Sequence, residues 1–486
     1  MKTGVEPSAA RTGVSPRAYF PRGVIGIVLC AAILFTVAFW GCARENRPSI
    51  VLIVVDTLRA DRTRREYDGK ALMPHVQALA RQALVYENAT AAAPMTMPSV
   101  AALLTGLYPD RAGVVTHSRA VALDVASPTL AEIARAGGYS TRAVVANPWL
   151  ASPATRFSRG FESYTTKRDL DIRQARLDAT AVTDLAINAL ETAEPPTLLW
   201  AHYIDMHMPY QPPAADAAAL GNASGSSTIV RDYVSEAVDR QTIYFVAPYS
   251  PQEIGATRAL YDAAARAVDR EIGRLLDAID RTLGRNVIVI VTADHGESLG
   301  EHGLYFAHDF TLYGELTHVP LLVRIPGSEA VRIQTRVSLV DVLPTVCEHA
   351  GLRCPDALDG TSLSTSDTPR DAPVYSVGPP YRERYDKSPY VRVHGLEGRW
   401  CALRSYDRSL LRIPTERGIR WEAYDLAADP GETRNVFEPE RDANSVRKLN
   451  DWASSLADAA REAGPRSPRS WRRDELKDLR ALGYLD

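Results

Sequence analysis

The stretch Asn286–Glu297, NVIVIVTADHGE, decides how the chain folds. Six β-branched residues run from Val287 to Thr292 without apolar–polar alternation. That is the mark of a strand buried on both faces, as in a parallel sheet. A carboxylate and an imidazole, Asp294 and His295, stand at its carboxyl end. Two further runs end in the same way: SIVLIVV, 49–55, leads into Asp56, and TLLWAHY, 197–203, leads to Asp205. Between 251 and 283, Leu260, Ala264, Val268, Ile272, Leu275, Ile279 and Leu283 recur every three to four residues, which predicts a long amphipathic helix. Helical spacing is also read over 74–84 and 127–136, and strands over 141–146 and 319–325. Strands alternating with helices predict an α/β fold, a largely parallel sheet sandwiched by helices. Ligands of such sheets bind beyond the carboxyl ends of the strands, where Asp56, Asp205 and Asp294 fall.

At about 150 residues per domain, the 486-residue chain has room for two to three domains. The reading divides it into an anchor over 1–47, a catalytic α/β domain over 48–369, and a smaller C-terminal α+β domain with a helical tail over 370–486. In the last part Trp400, Tyr406, Trp421 and Tyr424 are scattered among short segments, which suits an antiparallel sheet. Residues 209–251, rich in Ala, Ser and Gly, read as an insertion or lid. A formal net charge of −3 supplies no global basic field, so nucleic acid is not an expected partner.

Residues 23–42, GVIGIVLCAAILFTVAFWGC, carry no charge. About 20 residues span about 30 Å as a helix, the thickness of a bilayer core. Lys2, Arg11, Arg17 and Arg22 precede them against the single acid Glu6. The positive-inside rule then places this flank in the cytoplasm and the bulk of the chain on the extracytoplasmic, periplasmic side of the cell membrane. An uncleaved signal anchor is the first reading and lipidation at Cys42 the second. Five cysteines exclude a disulfide scaffold. Cys347 and Cys354 are close enough in sequence to pair in an oxidising compartment, leaving Cys401 free; three inert buried thiols are the other reading.

Between the first and third acidic strand ends lies APMTMPSVAALLTGLYP, 93–109. Pro98 suits a first helical turn, and a short helix over Ala101–Thr105 should stop at Gly106. Thr96 is placed just before that helix, where free N–H groups and the dipole attract anions. Ser99 is read as part of the helix start, by capping.

These pieces together resemble the sulfatase family of the alkaline phosphatase superfamily. The resemblance rests on the strand ending in Asp56, on TMPS with ALLTG, on TADHGE and on HYIDMHMPY (202–210). EHGLYFAHDFTLYGELTHVPLLVRIPG (301–327), DGTSL (359–363), YDLAADPGETRN (424–435) and the terminal LRALGYLD (479–486) follow in order. The resemblance implies a metal-dependent hydrolase or transferase that cleaves an anionic ester, here joined to the anchor read from residues 23–42. The ester would be carried by a sugar, a lipid head group or a small molecule. It implies one divalent ion, Ca, Mn, Mg or Zn, held by Asp56, Thr96, Asp294 and His295, which would polarise an ester oxygen and lower the nucleophile pKa. It places His207 against the anionic group and His308 where a proton donor to the leaving group stands. Asp205, His207 and His308 are the candidates for a second ion, although Asp205-x-His207 is shorter than the usual two-metal spacing.

The sequence departs from the family pattern at the nucleophile. Thr96 stands where sulfatases carry a Cys or Ser that is converted to formylglycine, and Val100 where they carry Arg. AVVANPWL (143–150) replaces the usual Lys-x-His element, and Thr57 replaces a second aspartate. The expectation is therefore Thr96 as the nucleophile, with a phosphate ester favoured. The alternatives are a sulfuric ester hydrolase working without formylglycine and an inactive, anion-binding member of the family.

Overall fold

The structure is a computed structural model. It describes residues 47–118, 121–170, 176–221, 225–367, 372–379, 399–415, 417–462, 476–477 and 479. The apolar run 23–42 and most of the C-terminal tail lie outside these. Among the described residues no helix is long and apolar enough to cross a membrane.

The principal elements, in chain order, are β1 (Ser49–Val55), α1 (Pro74–Ala80), β2 (Leu84–Thr90), α2 (Thr96–Thr105), α3 (Leu130–Ala136), β3 (Ser140–Val145) and β4 (Ser163–Thr166). Next come α4 (Ala179–Glu191), β5 (Thr197–Tyr203), α5 (Pro251–Leu283), β6 (Val287–Thr292), β7 (His318–Val319), β8 (Leu321–Arg324), β9 (Val331–Ser338) and α6 (Val342–His349). The chain continues with β10 (Val374–Val377), β11 (Cys401–Arg404), β12 (Arg408–Thr415), β13 (Gly418–Asp425) and α7 (Pro439–Glu462).

The main sheet has the order β7-β2-β8-β6-β1-β5-β3-β4, with β9 also pairing β2. Its centre, β6-β1-β5-β3-β4, is parallel throughout. Every residue of β1, β5 and β6 is buried, which accounts for their unbroken apolar runs. The helix α5 is fixed at its start by Pro251 and by a capping box between Ser250 and Glu253. It packs with α4 and α1. On this side the Tyr203 hydroxyl meets Thr183 of α4 at 2.9 Å. By strand alternation, His202 and Trp200 point to the opposite face, and α2 packs with α3 and α6 as a second group of helices.

The sheet is mixed rather than uniformly parallel. The run expected as one strand over 319–325 is broken at Pro320 into β7 and β8. Both are antiparallel to their neighbours. A parallel neighbour requires a long crossover, usually a helix, and residues 293–317 contain only single-turn helices. The chain therefore turns back beside β6. The stretch 209–251 forms three short helices, Ala214–Ala219, Thr228–Ser235 and Arg240–Phe245. Cys347 and Cys354 are free thiols, as is Cys401.

β10 to β13 form an antiparallel meander in sequence order. α7 lays Leu449 and Leu456 onto a cluster with Leu403 and Leu410 of that sheet. The Arg408 guanidinium meets both oxygens of Asp442 at 2.7 and 2.8 Å.

One imidazole ties this smaller sheet region to the loops after β6. His302 stacks on Tyr313 with ring centroids 3.7 Å apart. Its Nδ1 lies 2.8 Å from Glu315 Oε1 and its Nε2 3.0 Å from the Glu432 carbonyl. Burial opposes the charged ring, but the Glu315 carboxylate wins and raises its pKa to about 9. A raised pKa contributes stability that is complete below about pH 6.5, the unfolded value. That stability is lost as pH rises through about 9. Wild type minus His302→Gln should show a stability difference on the order of 2 kcal/mol near pH 6 that shrinks towards pH 10. Denaturant unfolding at a series of pH values reads it, and a difference constant with pH contradicts the assignment.

Candidate active site and cation centre

The register of the parallel strands assembles the site. Val54 of β1 pairs with Thr292 of β6 on one side and with His202 of β5 on the other. His202 in turn pairs with Val145 of β3. Two residues further along β1, β6 and β3 stand Asp56, Asp294 and Asn147. A step of two returns a side chain to the same face, so the three gather at the carboxyl edge.

Asp56, Asp294 and His295 are fully buried. Each carboxylate has one oxygen occupied. Asn147 Nδ2 donates to Asp56 Oδ2 at 2.7 Å. The backbone N–H groups of His295 and Thr57 donate to Asp294 Oδ1 at 2.9 and 3.3 Å. Thr57 adopts φ +61°, a left-handed conformation costly for a β-branched residue, and its N–H thereby reaches Asp294. The remaining oxygens, Asp56 Oδ1 and Asp294 Oδ2, have no hydrogen-bond partner.

Those two oxygens face His295. Its Nδ1 lies 2.9 Å from the Gly296 carbonyl, so the neutral ring donates there and turns a bare Nε2 inward. Nε2 lies 3.7 Å from Asp56 Oδ1, 3.6 Å from Asp294 Oδ2 and 3.4 Å from Thr96 Oγ1. A direct charge-assisted bond would close to about 2.7–2.9 Å. Two atoms sharing one ion at about 2.0–2.2 Å in tetrahedral geometry are about 3.3–3.6 Å apart. The observed spacing therefore fits ligands around a common cation, and the donor set of two carboxylates, an imidazole and a hydroxyl suits a divalent one. Burial, and then the neighbouring Asp294 charge, push the Asp56 carboxyl well above its ordinary range. Burial lifts Asp294 to about 7 and lowers His295 to about 4.

Thr96 is the first residue of α2 rather than the one before it; Met95 caps the helix without a side-chain bond. The expected ring of free N–H donors is reduced. Pro98 has none, and the Met97 N–H donates to His117 Nε2 at 3.0 Å. Asn147 Nδ2 instead approaches Thr96 Oγ1 at 3.4 Å. Ser99, on the next turn, does not cap the helix. Its hydroxyl donates to the Asp294 carbonyl at 2.5 Å, which locks α2 to the end of β6.

His308 and His207 extend the site. The His308 ring centre is 4.5 Å from that of His295 and 4.9 Å from that of His207. His308 Nδ1 meets Glu297 Oε1 at 3.1 Å, and Tyr210 donates to Glu297 Oε2 at 3.2 Å. Burial raises Glu297 to about 8 and lowers His308. His207 Nδ1 lies 2.6 Å from the Met208 carbonyl, and burial followed by the His308 charge holds its pKa well down. Asp205 accepts the Ala179 N–H at 2.9 Å at the start of α4, so one of its oxygens serves as a helix-start anchor.

Asn147, Glu297 and His202 were not singled out from the sequence. Asn147 carried a signal, an Asn-Pro at the end of a strand beside β5. His202 and Glu297 sit inside quoted motifs, and only the fold shows where they point. His202, Asp56 and Asp294 each offer a ligand atom within 4.8 Å of the other two.

Replacing Asp294 by Asn removes one charge and one ligand atom. Bound divalent metal, measured by plasma mass spectrometry after dialysis, should fall by at least about tenfold in affinity. Unchanged stoichiometry and affinity contradict the cation centre.

Comparison with known proteins agrees with this arrangement. The family profile described as Sulfatase matches residues 48–352. A second, N-sulphoglucosamine sulphohydrolase, C-terminal, matches residues 300–458. The chain is 24% identical over 480 residues to the uncharacterized sulfatase YidJ of Escherichia coli, covering 88% of this chain and 91% of that protein. The solved structure of BT4656 with its substrate D-glucosamine-2-N,6-O-disulfate superposes with TM-score 0.64 at 20% identity, over 86% of this chain and 99% of that one. The phosphonate monoester hydrolase of Agrobacterium radiobacter does so with TM-score 0.60 at 19% identity, over 86% and 96%. With its sheet, its buried strand-end carboxylates and more than half its length matched, this chain belongs to the sulfatase family, whose members hydrolyse sulfuric and phosphoric-type esters.

Proposed function

We propose that the protein hydrolyses an anionic ester carried by a sugar or similar alcohol, with the Thr96 hydroxyl as nucleophile. The observation that carries this reading is the position of Thr96 Oγ1, 3.4 Å from both His295 Nε2 and Asn147 Nδ2 at the buried carboxylates. A divalent ion bound by Asp56, Asp294, His295 and Thr96 would supply Lewis acidity and lower the pKa of the coordinated hydroxyl. Asn147 donates to the developing threonine oxyanion and holds Asp56 in place. His207 ties its Nδ1–H to the Met208 carbonyl, so its Nε2 is a proton acceptor. His308 is hydrogen-bonded through Nδ1 to Glu297, whose carboxyl burial raises to about 8, and that carboxyl would supply the proton that His308 passes to the departing oxygen.

The similar proteins favour a sulfuric ester, because sulfatase names predominate among them and BT4656 was solved with a sulfated glucosamine. Thr96 favours phosphorus as the second reading. A threonine cannot form the aldehyde hydrate of formylglycine, whereas a phosphothreonine is cleared by direct attack of water. The likeness to a phosphonate monoester hydrolase supports the same reading. Turnover of aryl sulfate, phosphate monoester and phosphodiester in parallel, with Mn²⁺, Zn²⁺, Ca²⁺ or Mg²⁺, separates the two.

Thr96→Ala should cost on the order of several kcal/mol in the transition state for whichever ester is turned over. Acid quench during turnover, followed by mass spectrometry, should place the covalent group on Thr96. An adduct on Ser99, or undiminished turnover by Thr96→Ala, contradicts the assignment.

The run 23–42 supports a membrane anchor that leaves the catalytic part outside the cytoplasm. A chain beginning at Pro48 should fold and keep its turnover. Complete loss of folding contradicts an anchor-only role for the segment.

A further inference from the structure

We infer that His202 is a further protein ligand of the cation at Asp56 and Asp294, and that the resulting pair of imidazoles selects a nitrogen-preferring transition ion such as Zn²⁺ over Ca²⁺ or Mg²⁺. The inference rests on the cation centre described above and adds a residue and a metal preference to it.

His202 occupies the floor of the site. It pairs in register with Val54 on β1 and Val145 on β3, one step below Asp56 and Asn147 on the same face. It is fully buried. A neutral imidazole has one N–H donor and one lone pair. Neither ring nitrogen of His202 has a hydrogen-bond partner, an arrangement that buried polar groups avoid. The ring stands edge-on to Trp200, with centroids 5.9 Å apart, so indole closes the space beneath it. If the position served packing alone, an apolar side chain would fill the floor without this polar cost.

The orphaned nitrogens have orphaned counterparts. One ring nitrogen lies within 4.8 Å of a carboxylate oxygen of each of Asp56 and Asp294, and neither ring nitrogen is hydrogen-bonded to them. Asp56 Oδ1 and Asp294 Oδ2 are themselves without partners. Two atoms on opposite sides of one ion with bonds of about 2.0–2.2 Å are about 4.0–4.4 Å apart. A single cation between the floor imidazole and the two carboxylates would take the one lone pair of His202 together with an oxygen from each carboxylate. It would then hold two oxygens from Asp56 and Asp294, the Thr96 hydroxyl, and nitrogens from His295 and His202. Oxygen ligands alone suit Ca²⁺ and Mg²⁺, whereas imidazoles suit Zn²⁺ and other borderline ions.

The test uses the full chain, stripped of metal and titrated with Zn²⁺ or Ca²⁺ alone by calorimetry. Wild type should bind Zn²⁺ at least tenfold more tightly than Ca²⁺. His202→Phe, which keeps the floor filled, should weaken Zn²⁺ at least tenfold, leave Ca²⁺ within twofold, and melt, metal-free, at or above the wild-type temperature. Zn²⁺ affinity within twofold of wild type in that variant overturns the proposal. A second readout needs no variant: pulsed electron paramagnetic resonance of the Mn²⁺-loaded wild type should count two directly coupled imidazole nitrogens, and a count of one overturns it. Failure of wild type to bind either ion would instead refute the cation centre itself, and this inference with it.

Discussion

Two carboxylates buried side by side, Asp56 and Asp294, are the constraint on which the rest of the site depends. Neighbouring parallel strands in fixed register force them together. Neither reaches water. An ion taken out of water without compensation costs on the order of several kcal/mol. The fold compensates half of each group: Asn147 serves one oxygen of Asp56, and two backbone N–H groups serve one oxygen of Asp294. The other oxygen of each is left facing His295 Nε2. The left-handed backbone at Thr57 and the short bond from Ser99 to the Asp294 carbonyl both act to keep that geometry.

Burial also sets the protonation of the surrounding rings. His117, His202, His207, His295 and His308 are all driven towards the neutral form, chiefly by loss of water. Neutral imidazoles offer lone pairs, and hydrogen bonds to the Gly296 and Met208 carbonyls choose which nitrogen offers it in His295 and His207. The result is a pocket able to bind a cation and accept protons, in which His308 Nδ1 is hydrogen-bonded to the Glu297 carboxyl.

Much of the fold was legible because its central strands are buried on both faces. Thr197–Tyr203 and Pro251–Leu283 fall where the sequence puts them. The antiparallel return of β7 and β8 was not legible, since apolar content says nothing of direction; the lack of a crossover helix after Asp294 was the missing clue. α7 escaped notice although Leu449, Trp452 and Leu456 recur at helical spacing in a polar stretch. At the site, Asp56, Asp294 and His295 stood out as polar residues ending apolar strands. His202 lies within such a strand, where an imidazole reads as core, and its orphaned nitrogens exist only once β5 is set beside β1. Asn147 looked like a departure from a family motif, and the fold shows it donating to both Asp56 and Thr96.

One cation would balance the two buried carboxylates. The most direct measurement is an anomalous difference map from crystals of the protein soaked in Mn²⁺. The account predicts a single strong peak within about 2.0–2.4 Å of Asp56 Oδ1, Asp294 Oδ2 and His295 Nε2, with Thr96 Oγ1 drawn towards it. A map with no peak there, and with the His295 ring closed onto either carboxylate as a direct ion pair, would contradict it.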